Sequence, residues 1–353
     1  MRPTFGPLDQ LLLGVECPLP LDRPFTVWEA ERLGVSTDVL RRLVRDGFVR
    51  RMLKGVYAVA DLPEDITMRA RALSLVVPNT AVVTDRTAAW LLGVDVLAPG
   101  DHLRVPPISV YQLPGNTRVR RAGCKGGERT LTADDIMIIE GVRVTTPLRT
   151  ALDLGRLLKR DHAIGALDGL LRLGAFSRDD LLAQVVRFRG FRGVVQLREL
   201  APVADARAES PAESVLRLRW LDTSLPRPTP QLPVLDEWGN EVFYLDLALP
   251  ELRYGAEYDG EEHHSSPEDR EQDRVRRKWL DDHDWEIDVL KKPQVFGRNQ
   301  NAAAILRKGV ARARRRMGAQ QVTTGKGWQP RKWRVGGNGT PGSEGRRGGR
   351  PTK

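Results

Sequence analysis

Asp246-Leu247-Ala248-Leu249-Pro250-Glu251-Leu252-Arg253-Tyr254-Gly255-Ala256-Glu257-Tyr258-Asp259-Gly260 decides the fold of the C-terminal third of this 353-residue sequence. Pro250-Glu251 divides the stretch into two β-rich runs, Glu241 to Leu249 and Leu252 to Tyr258, which read as adjacent strands joined by a hairpin turn. Working outward, a helix is expected from Pro211 to Asp222 and a strand from Gln231 to Leu235, with Asp236-Glu237-Trp238-Gly239-Asn240 as a second turn. Downstream the pattern predicts a helix from Pro267 to His283 and a last strand from Trp285 to Leu290. Side chains alternate across a strand, so Glu257 and Asp259 share one face while Ala256 and Tyr258 take the other. If Asp246 faces the same side of its own strand, three carboxylates converge. Clustered carboxylates repel one another and are costly to desolvate. Mg²⁺ or Mn²⁺ would meet that cost with hard oxygen coordination and could activate a water against a phosphate. The competing reading is a solvated polar sheet end beside the turn Asp259-Gly260.

Asp246, then Glu257-Tyr258-Asp259-Gly260, then His263-His264 resembles restriction-endonuclease-like proteins of the PD-(D/E)xK type, related to the very-short-patch-repair endonuclease. Arg270, Asp273, Arg277 and Leu280, leading into Asp284-Trp285-Glu286-Ile287, continue the resemblance through that family's helix and last strand, so that it spans Ser210 to Leu290. It implies that Asp246 and Glu257 are metal ligands. It also places Asp259 where the family usually carries a lysine, and an aspartate supplies no positive charge. His263, His264 and Lys278 are the substitutes at hand. Glu213 is a further candidate, because the resembling nucleases carry a helical glutamate near the metal. Ser210-Pro211-Ala212-Glu213 reads equally as a helix-capping box, with Arg217 four residues on. The candidate catalytic set is Asp246, Glu257, Asp259, Glu213 and His263.

Near the other end, Thr26 with Glu29 opens a helix that runs to about Leu33, and Gly34 turns the chain. Ser36 caps a second helix ending near Asp46, with Leu40, Leu43 and Val44 as its apolar stripe. Thr37, Asp38, Arg41, Arg42 and Arg45 fall on the opposite face. Phe48 to Met52 and Val56 to Val59 form a hairpin around Leu53-Lys54-Gly55, so the segment reads as a winged helix-turn-helix. Such a second helix can enter a major groove, while Arg50, Arg51 and Lys54 hold the wing on the phosphate backbone. The candidate DNA-binding residues are Thr37, Arg41, Arg42, Arg45 and Lys54; the bland alternative is a solvated amphipathic helix. Phe25 to Val59, ending Gly55-Val56-Tyr57, resembles the N-terminal winged helix of AbiEi-type antitoxins, and Val83-Thr84-Asp85-Arg86-Thr87-Ala88-Ala89-Trp90-Leu91-Leu92-Gly93 looks like that family's next helix. The resemblance implies a transcriptional autorepressor paired with a nucleotidyltransferase toxin in a type IV system.

Between these modules, short β-rich runs from Leu103 to Val144 give way to helical periods over Leu148–Leu158, His162–Leu173, Arg178–Arg187 and Val194–Leu200. The basic loop Arg187-Phe188-Arg189-Gly190-Phe191-Arg192-Gly193 interleaves aromatics with arginines, a pattern that can touch nucleic acid but more commonly marks a solvated helix connection. The net charge of +10 is concentrated after Ala311, where twelve Lys and Arg meet one acid, Glu344; the rest of the chain is close to neutral. That Gly- and Arg-rich segment reads as a disordered tail able to bind phosphates without sequence preference. No run reaches the roughly 18 apolar residues of a membrane span. Leu11-Leu12-Leu13-Gly14-Val15 is too short and too acidic in its flanks for a secretory signal, so a cytoplasmic protein is expected. Cys17 and Cys124 are isolated and read as structural thiols.

The expected chain is therefore a multidomain protein of mixed α+β and α/β class. It would comprise a winged helix-turn-helix over 1–62, a mixed scaffold or interaction domain over 63–205, a restriction-endonuclease-like α/β domain over 206–310 and a basic disordered tail over 311–353. Two functions fit. One is a Mg²⁺-dependent DNA endonuclease in defence or repair, and the other is a transcriptional repressor of the type IV antitoxin kind whose nuclease fold is not catalytic.

Overall fold

In the computed structural model, which describes residues 17–96, 107–260 and 267–324, several helices start where a Ser, Thr or Asp oxygen can take up a free amide of the first turn. β1 (Phe25–Thr26) leads into α1 (Val27–Arg32), with Thr26 Oγ1 accepting the Glu29 N–H at 3.1 Å. After the turn at Gly34 comes α2 (Thr37–Arg45), capped by Ser36. β2 (Val49–Leu53) and β3 (Val56–Val59) pair around Gly55, whose φ of +80° is a left-handed conformation that a residue with a Cβ rarely adopts. β1 adds to β3, giving an antiparallel sheet in the order β1-β3-β2; this third strand is one that the sequence reading did not include.

The middle of the chain holds α3 (Ile66–Ser74), β4 (Ala81–Val83), α4 (Asp85–Leu91), β5 (Ile108–Gln112), β6 (Cys124–Lys125), β7 (Ile136–Ile139) and β8 (Val142–Thr145). These five strands form one mixed sheet in the order β6-β5-β4-β8-β7. The expected helical run follows as α5 (Pro147–Leu157), α6 (Arg160–Arg172), α7 (Arg178–Gln184) and α8 (Val194–Leu200). α9 (Pro211–Leu221) then precedes β9 (Thr229–Leu235), β10 (Glu241–Leu249) and β11 (Tyr254–Asp259), an antiparallel meander. α10 (Pro267–Asp282) carries the chain over to β12 (Glu286–Lys291), which pairs parallel with β11 and closes the order β12-β11-β10-β9. The short α11 (Lys292–Val295) and the long α12 (Ala302–Thr324) end the described chain.

Apolar burial runs across the segment limits expected from the sequence. Met52, Leu53, Val56 and Ala58 of the first hairpin share a cluster with Met68, Leu73, Val83 and Val144. A larger cluster joins Leu152, Ile164 and Leu197 to Trp220, Leu247, Tyr254, Leu290, Leu306 and Val310. At its centre the Trp220 and Tyr254 rings lie 5.7 Å apart. α9 is held to α6 by a buried ion pair, Arg217 with Asp168 at 2.5 Å, and Asp168 also accepts the Asp205 N–H at 2.8 Å. Removing either partner of such a pair strands a buried charge.

The expectation of disorder from Ala311 onward is corrected for 311–324, because α12 runs through that point. Charge counting missed that the basic residues occupy only part of the helix circumference. Leu306, Val310 and Ala313 bury the remainder against the last sheet, while Arg312 reaches Glu286 at 2.5 Å and Asp288 at 2.7 Å. Gly309 permits the close approach, since a Cβ there would stand 2.0 Å from Asp288 Oδ2 and 2.5 Å from the Tyr254 hydroxyl. Residues 325–353 lie outside the described residues. Among the described residues no helix is long and apolar enough to cross a membrane, and Cys17 and Cys124 are free, half-buried thiols.

Candidate functional site

α2 presents two unlike faces. Leu40 is buried with Phe25, Ala30, Val35 and Val49, and Leu43 and Val44 pack against the same cluster, which fixes the orientation of the helix. Outward stand Asp38, Arg41, Arg42 and Arg45, with Thr37 at the helix start. The Thr37 hydroxyl donates to Glu31 at 2.6 Å, Arg41 meets Asp38 at 2.9 Å, and Arg45 meets Asp46 at 3.4 Å. Exposed pairs of this sort contribute about 0–1 kcal/mol, so a phosphate can compete for these arginines. Arg42, Arg51 and Lys54 make no hydrogen bond or ion pair among the described residues, and all three are exposed. Arg50 differs from the expectation, since its guanidinium is committed to Glu64 and to the Leu62 carbonyl at 2.7 Å, tying β2 to the start of α3. Lys54 lays its aliphatic stem beside Gly123, leaving the hairpin tip braced on the middle sheet.

The carboxylates of the last sheet come together in part. β10 and β11 pair through Leu247 and Ala256, and one further step of that register sets Asp246 across from Glu257. Asp246 Oδ2 accepts the Tyr258 N–H at 2.8 Å. Burial drives the Asp246 carboxyl up to about 7, the negative charge of Glu213 adds to that rise, and the Tyr258 amide opposes it. Burial also raises the Glu257 carboxyl, but Arg276 of α10 pulls it back through an ion pair. Glu213 turns its carboxylate to the Glu209 N–H at 2.8 Å and the Gln231 side chain at 3.0 Å, while Ser210 Oγ accepts the Glu213 N–H at 3.1 Å. The helix start thus uses both the backbone and the side chain of Glu213, whose negative charge is also felt by Asp246.

Asp259 is paired across the parallel strands with Lys291, whose Nζ lies 3.7 Å from Asp259 Oδ2. Lys278 points elsewhere, to Asp282 at 2.7 Å on the exposed side of α10. His263 and His264 lie outside the described residues. Among the described residues no group of three His, Cys, Asp or Glu side chains could hold a metal ion. Among the described residues the counter-charge beside Glu257 is the guanidinium of Arg276. Sequence reading missed both Arg276 and Lys291, which approach from other elements and leave no local signature.

The family model of the AbiEi antitoxin C-terminal domain matches residues 80–203. Over 272 residues, covering 77% of this chain and 96% of the relative, the sequence is 32% identical to uncharacterized protein Rv2248 of Mycobacterium tuberculosis strain H37Rv. Uncharacterized protein MT2308 of strain CDC 1551 / Oshkosh of that species matches with the same identity and coverage. The chain belongs to one family with these mycobacterial proteins.

Its AbiEi-matching region contains a charge network that the sequence reading did not find. Arg149, buried on α5, donates to Asp153 at 2.9 Å and to Asp135 at 2.8 Å. Arg129 forks onto both oxygens of Asp85 at 2.7 and 3.0 Å, reaches Asp153 at 3.1 Å and lies over the Tyr111 ring at 3.8 Å. Arg156 and Arg187 complete it, on Asp153 at 2.8 Å and Asp135 at 2.8 Å. Burial alone would raise the Asp135 carboxyl, yet the hydrogen bond from Arg187 and the charge of Arg149 hold it well below the ordinary range. The helical spacing of Arg149, Asp153 and Arg156 was the legible signal for this network. Arg187 therefore serves the AbiEi-matching region through Asp135, and the Arg156 guanidinium donates to the Arg192 carbonyl at 3.3 Å, so the basic loop is a braced helix connection.

Proposed function

We propose that this chain is a DNA-binding transcriptional regulator of the AbiEi antitoxin type, which reads its site with α2. The observation that carries the reading is the outward arginine face of α2, held by Leu40 above a basic hairpin and followed directly by the region that matches the AbiEi antitoxin domain. The segment 25–59 acts as a winged helix. α2 lies in the major groove, where Arg41 and Arg42 contact guanine edges or phosphates, while Arg51 and Lys54 rest on the backbone. The functional partner is a nucleotidyltransferase toxin encoded nearby. The last sheet acts as a platform, with Glu257 answered by Arg276 and Asp259 by Lys291.

Arg41→Ala with Arg42→Ala tests this. Exposed arginines with at most a surface pair leave the melting temperature unchanged when removed. Binding to the chain's own upstream DNA should fall, with about 1–3 kcal/mol lost for each guanine contact, or the salt slope flattened by about one for each phosphate contact. Unchanged binding by a folded double variant refutes the assignment of α2.

A second reading, a Mg²⁺- or Mn²⁺-dependent endonuclease, is favoured by one observation, that Glu213 and Glu257 both raise the Asp246 carboxyl by their charge. It requires that millimolar Mg²⁺ or Mn²⁺ shift thermal unfolding upward and that Asp246→Asn abolish the shift.

A further inference from the structure

α12 carries six basic residues and no acid between Ala302 and Thr324, and these are sorted by face. Arg312 and Arg316 turn to the protein, Arg312 onto Glu286 and Asp288 and Arg316 onto Glu286 at 3.6 Å. Arg307, Lys308, Arg314 and Arg315 are exposed and make no hydrogen bond or ion pair among the described residues. At about 100° per residue these four fall within roughly 120° of the helix circumference, opposite Leu306, Gly309 and Ala313. With a rise of about 1.5 Å per residue the stripe is about 12 Å long from Arg307 to Arg315.

We propose that this stripe is a second surface for the phosphate backbone of duplex DNA, acting without sequence preference beside the groove contact of α2. The inference rests on the DNA-binding reading and adds to it a second, separate contact. Four cations crowded on one stripe repel one another, and an anionic polymer relieves that repulsion. B-DNA offers about one charge per 1.7 Å of its axis, dense enough to face every cation of a 12 Å stripe. A lipid surface fits less well. The exposed residues beside the cations are Ala304, Ala311 and Gly318, and a helix that enters a membrane interface needs a large apolar face.

The test uses the full chain carrying Arg307→Gln, Lys308→Gln, Arg314→Gln and Arg315→Gln together, titrated by fluorescence anisotropy against a random-sequence duplex from about 50 to about 200 mM salt. The expected result is a salt slope flattened by up to about 3.6, or about 0.9 for each lost phosphate contact, with affinity at the lowest salt down roughly tenfold or more. The melting temperature should stay put. An unchanged slope and affinity in a folded variant overturns the proposal. So does a loss confined to vesicles containing phosphatidylserine, which would make the stripe a lipid contact. Wild type that binds no duplex at low salt removes the DNA-binding reading itself. If Arg41→Ala with Arg42→Ala is silent while the α12 variant loses its slope, only the assignment of α2 fails.

Discussion

Replacing Asp246 by Asn removes a charge that the fold holds at a cost. A change of one in pKa is worth about 1.36 kcal/mol. Asp246 rises from an ordinary 3.8 to about 7, so ionising it in the folded state costs up to about 4 kcal/mol. The carboxyl is only partly buried by surface area, so about half of that ceiling, roughly 2 kcal/mol, is the expected difference. A folded-state carboxyl with a raised pKa still holds its proton when the unfolded chain has released it. The unfolded state then binds fewer protons, and stability falls as pH rises from about 4 to about 7. Asn keeps the shape and an oxygen for the Tyr258 N–H but has no proton to lose. Urea unfolding of both proteins should therefore give equal stability near pH 4. Near pH 8 the variant should be the more stable by roughly 2 kcal/mol, with an unchanged m-value. An Asp246→Asn protein less stable than wild type at pH 8 would show that the carboxylate is charged and well partnered, and the account of this site would be wrong.

Two further outcomes follow from the packing. Asp153→Ala leaves Arg129, Arg149 and Arg156 short of their shared partner and should cost about 3–5 kcal/mol in chemical unfolding; a loss under 1 kcal/mol would mean that water enters the network freely. Gly309→Ala forces a methyl onto Asp288 and Tyr254 and should lower stability by about 1–3 kcal/mol, detaching α12 first in hydrogen exchange, whereas a neutral result would show that the helix is not docked as described.

Much of the fold was legible locally. Glu241–Leu249 and Val194–Leu200 were read to the residue, because alternation and helical period run unbroken between clear turn signals. α2 was legible from Ser36 and the Leu40, Leu43, Val44 stripe. What escaped depends on distant partners. Arg276 reaches Glu257 from 19 residues away, and Asp135 meets Arg187 across 52, so no window on the sequence contains either pair. The docking of α12 escaped for a different reason. Leu306, Val310 and Ala313 carry a helical period, but averaging charge over the whole segment erased it. The carboxylate cluster shows the limit of the same reasoning, since alternation left open which way Asp246 faces, the strand register sets it across from Glu257, and the arginine that answers Glu257 was not foreseen.

A footprint on the chain's own upstream DNA, run with the full chain in Mg²⁺ and read for both protection and strand integrity, tests the central claim most directly. The account predicts a protected patch on intact DNA, lost when Arg41 and Arg42 are changed to Ala. Cut DNA without protection, with the cutting abolished by Asp246→Asn, would contradict it.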